Sequence, residues 1–460
     1  MSYNKAPSIT AETINPKVKI ISYEPCGQIA RHAERLQQEI EENPGSLPFQ
    51  EITYCNLGNP QALGQRPITF FREVLSLCDN PTLLDKDETP SLYSTCAIKR
   101  ARMIMDSLPS KNTGGYTSSR GIKSLRQAVA DGISARDGFP SDPDDIFLTD
   151  GASAAVNLMM QILIRSSEDA ILCPLPEYPI YSASIILHGG TMVMSITNQE
   201  EIVEFCRKEG LVILADEVYQ DNVYAENKKF NSFKKVARSL DYDENDLSIV
   251  SFHSSSMGLY GESGRRGGYM EISGFGTDVK EQIYKVASVT ICPNIAGQIL
   301  TSLVMDPPKL GDESFESFQA EKEKIHSSFW KRAKVCNLHF IRIDVASLDT
   351  GTKNTLEKAF QSMEGISCNK IEGALYFFPR LHLPSRAIKT AKAEGVSPDI
   401  FYAHRLLDAT GIAVVPGSGF QQASGTTHIR CAILPDEEKI EAMIPRLRAF
   451  HEAFMKEFRR

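Results

Sequence analysis

The sequence predicts an α/β fold in which a mostly parallel sheet is covered by helices on both faces and is joined to a smaller α+β domain. From about residue 95 onward, short apolar segments alternate with segments of helical length. The apolar segments show no regular polar alternation, and such strands are typical of parallel sheets buried on both faces. A length of 460 residues is sufficient for two or three structural units.

The predicted elements follow this pattern along the chain. Residues 1–50 form an N-terminal arm with a polar helix from Gln28 to Glu42, which the turn at Asn43-Pro44-Gly45 ends. The predicted strands of the sheet lie at 145–149, 170–174, 191–196, 211–216, 248–252 and 267–272. Helices are predicted after residue 151, at 181–187, 200–209 and 315–335, and short strands at 374–378, 412–415 and 428–434. We therefore expect 51–94 to be the N-terminal part of the small domain, 95–318 the large domain and 319–460 the C-terminal small domain.

Composition narrows the classes of function. The chain has 50 Lys and Arg against 58 Asp and Glu, a net charge of −8. It therefore lacks the surplus of basic residues that would indicate a nucleic-acid or membrane-surface partner. No apolar run approaches the roughly 18 residues that span a bilayer. The ten cysteines form no Cys-x-x-Cys pair, which predicts reduced thiols and no metal site. The first residues resemble neither a secretory signal nor an Arg-rich transit peptide, so a cytoplasmic location is expected.

Ligands of open parallel sheets bind beyond the carboxyl ends of the strands, and four polar features fall at such ends. Gly151-Ala152-Ser153 begins a helix, where free backbone N–H groups suit a phosphate, although a plain strand-to-helix turn with a serine cap also fits. Asp216 ends the most apolar strand and needs a cationic partner there. A pyridinium nitrogen, a neighbouring arginine or a helix cap would each serve.

The other two of these features lie later in the chain. Hydroxyls at Ser254 and Ser256 are followed by Arg266, a combination that suits a phosphate but also a solvated polar loop. Arg430 lies on a short apolar strand, where a guanidinium is costly to bury unless it binds an anion. That anion is either a substrate carboxylate or a structural ion-pair partner.

Taken together in this order, the features resemble the alanine aminotransferases, a branch of the fold-type-I, class I/II aminotransferases that depend on pyridoxal 5′-phosphate (PLP). The resemblance runs from about residue 48 to 458. Its most distinctive stretches are NPQALGQRPITF at 59–70, LADEVYQDNVY at 214–224, SFHS at 251–254, RGGYME at 266–271 and VPGSGF at 415–420.

The resemblance implies PLP as cofactor and a role for each matching residue. Nine residues would bind the cofactor. The phosphate would be bound by Ala152, Ser153, Ser254, Ser256 and Arg266, and the ring would be contacted by Tyr178, Asp216 and Tyr219. Tyr116 would bind the phosphate of the cofactor in a partner subunit. Arg430, assisted by the backbone near Gly58, would hold the substrate α-carboxylate. The family also implies a homodimer with sites at its interface.

Two departures from the family pattern accompany these agreements. Met257 stands where the family has its Schiff-base lysine, and a thioether neither forms a covalent bond to PLP nor transfers a proton. Between the strand at 191–196 and the helix at 200–209, the family has a further strand and an Asn-Pro-Thr-Gly turn that this chain lacks. One sheet strand and the asparagine to the ring oxygen are therefore expected to be missing. Natural divergence explains both departures, whereas a skipped coding segment near 197–199 explains only the second.

Two functions follow from this combination. The first is an alanine-aminotransferase-like exchange of an amino group between a small amino acid, such as alanine, and a 2-oxo acid, impaired because position 257 is methionine. The second is a pseudoenzyme that binds a ligand or forms dimers without catalysis. In either case, any bound PLP is expected to be held noncovalently.

Overall fold

The computed structural model describes residues 13–21, 27–109, 111–195, 198–340 and 363–459. Its helices are α1 Pro16–Ile20, α2 Gln28–Glu42, α3 Thr69–Asp79, α4 Thr89–Leu92, α5 Thr95–Ser107, α6 Lys123–Asp137, α7 Ala152–Leu163, α8 Ile180–His188, α9 Gln199–Glu209, α10 Phe233–Ser239, α11 Thr277–Ser288, α12 Ile295–Met305, α13 Phe315–Phe340, α14 Ser385–Ala393, α15 Pro398–Thr410 and α16 Glu437–Arg459. Its strands are β1 Thr53–Tyr54, β2 Ile146–Thr149, β3 Ala170–Pro174, β4 Thr191–Ser195, β5 Ile213–Asp216, β6 Ile249–Ser254, β7 Gly268–Ser273, β8 Ile366–Ser367, β9 Tyr376–Phe377, β10 Arg380–Leu381, β11 Ile412–Ala413, β12 Val415–Pro416 and β13 Ile429–Ala432.

The α/β class predicted from the sequence is confirmed, and most elements begin and end close to their predicted positions. Helix α2 covers the predicted range from Gln28 to Glu42. The strand expected at 412–415 is instead divided into β11 and β12, because the chain leaves one strand partner and joins another at Val414. The strand expected at 374–378 is reduced to the two residues of β9.

The central sheet has four strands in the order β2-β7-β6-β5. Strands β5 and β6 are parallel, and β7 is antiparallel to both of its neighbours. Strand β7 is reversed because a loop, rather than a crossover helix, connects it to β6. Three of the four strands therefore run in the same direction, but two of the three ladders are antiparallel and the sheet is mixed rather than mostly parallel.

Both faces of this sheet are covered by helices because apolar side chains point alternately to either face. Phe147, Phe252 and Met270 pack with buried residues of α7, α8 and α11 on one face. On the other face, Leu148 packs with residues of α6 and α12, and Ile213 with residues of α9 and α10. The carboxyl ends of β5 and β6 thereby meet at one edge of the sheet, where Asp216 and Ser254 lie.

Strands β3 and β4 form a separate parallel pair, with Leu172 opposite Val193. Among the described residues, no ladder joins this pair to β5, although Cys173 of β3 shares a core with β6 and β7. Leu172 is 43% exposed and Val193 is 42% exposed, whereas every residue of β6 and β7 is buried. This division agrees with the predicted loss of one sheet strand between β4 and α9.

The C-terminal part contributes a small sheet in the order β12-β13-β9. Its antiparallel register places Arg430 opposite Val415 and Ala432 opposite Tyr376. Because side chains two residues apart on a strand share a face, Tyr376 is a diagonal neighbour of Arg430. Within the described part of the chain, no helix is both long enough and apolar enough to cross a bilayer.

Candidate cofactor and substrate site

The N-terminus of α7 forms one end of the candidate site. Gly151 precedes the helix with φ of 85°, a backbone conformation that favours glycine, and Ala152 and Ser153 form the first turn. A Cβ atom on Gly268 would lie 2.9 Å from the Gly151 Cα, so two glycines allow the helix terminus to approach β7 closely. The start of α7 therefore lies beside the end of β6, since a Cβ atom on Gly151 would lie 3.6 Å from the Ser254 hydroxyl oxygen.

Arg266 lies against this helix terminus. Its guanidinium donates hydrogen bonds of 3.0 Å to the Ser256 hydroxyl and to the backbone carbonyls of Ser263 and Asp150. A Cβ atom on Gly151 would lie 2.7 Å from Arg266 Nη2. Within the described residues, Arg266 makes no ion pair with a carboxylate. An uncompensated guanidinium beside a helix N-terminus suits a phosphate dianion.

Asp216, at the end of β5, has the opposite charge and also lacks an ionic partner. Its carboxylate accepts a 3.0 Å hydrogen bond from the Tyr181 hydroxyl, and no cation pairs with it in the part of the chain that the structure describes. Asp216 is exposed in this structure, yet neighbouring protein atoms desolvate its carboxylate and raise its pKa. A pyridinium nitrogen would reverse this pKa shift, because a nearby cation favours the ionised carboxylate.

Tyr181 and three further tyrosines lie around Asp216. Tyr219 follows Asp216 by three residues, and its hydroxyl is hydrogen-bonded to that of Tyr376, with the two rings edge-on at 6.2 Å. Desolvation raises the pKa of Tyr219 well above its ordinary value, so the phenol stays neutral. Tyr178 is 42% exposed and precedes α8, the helix on which Tyr181 lies.

Arg430 forms the other end of the site. It is only 7% exposed, and its Nη2 donates a 2.8 Å hydrogen bond to the backbone carbonyl of Asn56. Its buried Nε has no hydrogen-bond partner among the described residues, and no carboxylate there pairs with the guanidinium. Because an unpaired buried charge is destabilising, this arrangement fits an external carboxylate better than a structural ion pair.

Met257 lies between the two ends. A Cβ atom on Gly58 would lie 3.2 Å from the Met257 methyl group and would collide with the Tyr376 hydroxyl. The Met257 side chain therefore extends toward Gly58 and Tyr376, beside the residues that surround Arg430. The position at which the family resemblance expects a lysine thus holds a neutral group inside the site.

The structure brings most of the expected residues together. Ser254, Ser256 and Arg266 form one cluster beside the helix start at Ala152 and Ser153. Tyr219, Gly58 and Arg430 all lie against Tyr376, and Asp216 lies near Tyr219. Tyr116 does not join them and is 81% exposed. Sequence reasoning missed Tyr181 and Tyr376, since an isolated tyrosine gives no signal before its neighbours are known. In the described ranges, no group of three or more His, Cys, Asp or Glu side chains could hold a metal ion.

An α/β fold with a helix N-terminus beside an arginine and a carboxylate at the end of a strand is typical of cofactor-dependent enzymes. Residues 72–201 and 193–447 match the family "Aminotransferase class I and II". The chain belongs to this family. The two matched segments meet at 193–201, which is where the sequence predicts a missing segment between β4 and α9.

Curated relatives identify the branch of the family. "Alanine aminotransferase 2" of Panicum miliaceum is 53% identical over 500 positions, covering 99% of this chain and all of that protein. "Alanine aminotransferase 1, mitochondrial" of Arabidopsis thaliana is 52% identical over 497 positions, covering 98% of this chain and 88% of that protein. Both alignments exceed the 460 residues of this chain, so these relatives contain residues that it lacks.

Two further comparisons concern location and fold. The expected cytoplasmic location is wrong, because relatives from Arabidopsis thaliana and Dictyostelium discoideum are named mitochondrial. The expectation rested only on the lack of a recognisable targeting pattern in the first residues. The solved "Alanine aminotransferase from Pyrococcus furiosus" has a TM-score of 0.69 at 19% identity, covering 95% of this chain and 99% of that one. This likeness supports the fold alone.

Proposed function

We propose that this chain has an alanine-aminotransferase-type site that binds PLP noncovalently and performs amino-group transfer between alanine and a 2-oxo acid only weakly. The observation that supports the proposal is the pattern of unpaired charge. Arg266, Asp216 and Arg430 make hydrogen bonds with Asp150, Tyr181 and Asn56, and each of the three lacks an ionic partner among the described residues. A phosphate, a pyridinium and a carboxylate would satisfy these three charges in turn.

The residues present divide the work of such a site. Bound PLP would supply an electron sink for bond breaking next to the amino group. The α7 N-terminus, Ser254, Ser256 and Arg266 would hold its phosphate, and Asp216 would keep its ring nitrogen protonated. Tyr181 would orient the Asp216 carboxylate by its hydrogen bond. Arg430 would bind the substrate carboxylate, with the backbone at Gly58 close by.

Met257 favours a second candidate function. A thioether supplies neither a covalent attachment for the cofactor nor a base for the proton on the substrate, and loss of a general base alone lowers rates by about 10²–10⁴. The chain would then be a ligand-binding or dimerising pseudoenzyme. The mitochondrial names of several relatives support a mitochondrial location for either function.

Titration with PLP tests the proposal directly. We expect the wild-type protein to bind PLP and to yield no covalent label after borohydride reduction, whereas Met257→Lys becomes labelled at the new lysine. Asp216→Asn removes the partner of the ring nitrogen and should weaken PLP binding about 10-fold or more. Asp278→Asn, which neutralises an exposed carboxylate on α11, is the matched control and should leave affinity unchanged.

The outcomes separate the two candidate functions. Absence of PLP binding to the wild-type protein contradicts the proposed site. Pyruvate formation from alanine and 2-oxoglutarate supports residual catalysis, and we expect its rate to be far below that of Met257→Lys. Undetectable pyruvate formation together with PLP binding supports the pseudoenzyme, and equal turnover by wild type and Met257→Lys contradicts the role assigned to position 257.

A further inference from the structure

The guanidinium of Arg430 is held against two aromatic rings. Its central carbon lies 4.3 Å from the centre of the Tyr376 ring and 4.9 Å from the centre of the Phe420 ring. A planar cation packed against ring faces is attracted to them and presents its edges, rather than its faces, to a ligand. One edge group, Nη2, bonds the Asn56 carbonyl, and the buried Nε remains unpaired among the described residues.

Tyr376 is itself fixed at several points. Strand pairing places it opposite Ala432, two residues from Arg430 on the same face of the small sheet. Its ring is edge-on to Tyr219, and the two hydroxyls are hydrogen-bonded. At position 58 only glycine leaves room for the Tyr376 hydroxyl, because a Cβ atom there would collide with it. The ring beneath Arg430 therefore has little freedom to move.

Tyr376 also borders open space through which a ligand could arrive. It lines a cavity of about 370 Å³ together with Leu175, Pro176, Phe378 and His428. A residue that contacts both the carboxylate-binding arginine and an accessible cavity is placed to influence which anions are accepted.

We propose that Tyr376 is a positioning residue that, with Phe420, fixes the plane of the Arg430 guanidinium and so selects planar carboxylates over tetrahedral anions. This inference rests on the proposed function, in which Arg430 binds the substrate carboxylate. A carboxylate pairs edge-on with a guanidinium in a common plane. The third oxygen of a sulfonate projects out of that plane, toward the rings, and meets their electron-rich faces.

Propionate and methanesulfonate test this inference, because they differ in the anionic group and neither is a substrate for amino-group transfer. The dissociation constant of each is measured by NMR titration of the full chain. We expect the wild-type protein to bind propionate about 10-fold more tightly than methanesulfonate. Tyr376→Phe keeps the ring and should change both constants less than about 2-fold.

Tyr376→Leu removes the ring and should weaken propionate binding about 10-fold while reducing the preference over methanesulfonate to about 2-fold. Phe420→Leu provides a second variant at the other ring, with the same expected direction, should Tyr376→Leu fold poorly. A purely structural role for the ring would lower the unfolding temperature without changing the ratio of the two dissociation constants.

The outcomes distinguish this inference from the proposed function. Failure of the wild-type protein to bind either anion contradicts the carboxylate role of Arg430 and, with it, the inference. If the wild-type protein binds propionate, and Tyr376→Leu and Phe420→Leu change neither the affinity nor the preference over methanesulfonate, the inference about Tyr376 is wrong. The carboxylate role of Arg430 would then remain supported.

Discussion

At the scale of single residues, Glu217 is an unusual carboxylate, because it is buried directly after the strand that ends at Asp216. It is 6% exposed and accepts a 2.8 Å hydrogen bond from the Phe233 backbone N–H. Desolvation raises its pKa from 4.5 to about 7, an effect that the Arg136 guanidinium opposes only in part. The protein therefore contains an acid that stays protonated at pH values where exposed carboxylates are ionised.

This raised pKa predicts a pH dependence of stability. The unfolded chain loses the Glu217 proton near pH 4.5 and the folded chain near pH 7, so the contribution to stability is greatest below pH 4.5 and is lost as pH rises to about 7. Glu217→Gln should therefore be more stable than wild type at pH 8, by about 1–3 kcal/mol, and by much less at pH 5. Urea unfolding at the two pH values measures this difference.

Glu281→Gln, an exposed change on α11, is the control for that measurement and should show no such pH-dependent difference. A Glu217→Gln variant whose stability relative to wild type is the same at pH 5 and pH 8 would show that the carboxyl is not perturbed.

Charged residues at the site could be predicted from the sequence, whereas their orienting neighbours could not. Asp216 and Arg430 each interrupt or end an apolar strand, and a charge in that context requires a partner whatever the fold. Tyr181 and Tyr376 lie on a helix and a strand where an aromatic residue is ordinary. Their roles depend on contacts between segments far apart in the chain, which no local pattern encodes.

At the scale of elements, the main feature of the large domain is that no ladder among the described residues joins β5 to the β3–β4 pair. The sequence of β3 is apolar throughout, as expected for a strand buried on both faces, yet alternate residues of β3 are exposed. The missing segment was predictable only from the resemblance to the family, which has a further strand and an Asn-Pro-Thr-Gly turn between β4 and α9. The resulting exposure was not, because it depends on which elements cover which face of the sheet.

This exposure predicts how the two sheets tolerate substitution. Leu172→Thr, on the exposed face of β3, should change stability by no more than about 0.5 kcal/mol, since the side chain already contacts water. Leu148→Thr, on the buried strand β2, is the matched control and should cost more than about 2 kcal/mol. Denaturant unfolding of both variants compares the costs, and equal losses would show that another part of the protein covers β3.

At the scale of the whole molecule, the phosphate end of the site lacks one expected contributor. Tyr116 is 81% exposed, and among the described residues no hydrogen bond joins its side chain to Ser254, Ser256 or Arg266. We propose a homodimer in which each subunit supplies Tyr116 to its partner. A large exposed aromatic residue is more typical of an interface than of a free surface.

If each subunit supplies Tyr116 to its partner, a substitution of Tyr116 should weaken PLP binding in the partner subunit. We expect sedimentation to give twice the 51.0 kDa subunit mass. Tyr116→Ala should weaken PLP binding about 10-fold through loss of one hydrogen bond to a charged phosphate, with the dimer retained. Phe205→Ala, which removes a 46% exposed ring on α9, is the control and should leave PLP affinity unchanged. If the protein is a monomer and Tyr116→Ala leaves its PLP affinity unchanged, the dimer proposal is wrong. One chain would then bind the phosphate alone, because no second subunit would be needed to complete the cluster around Arg266.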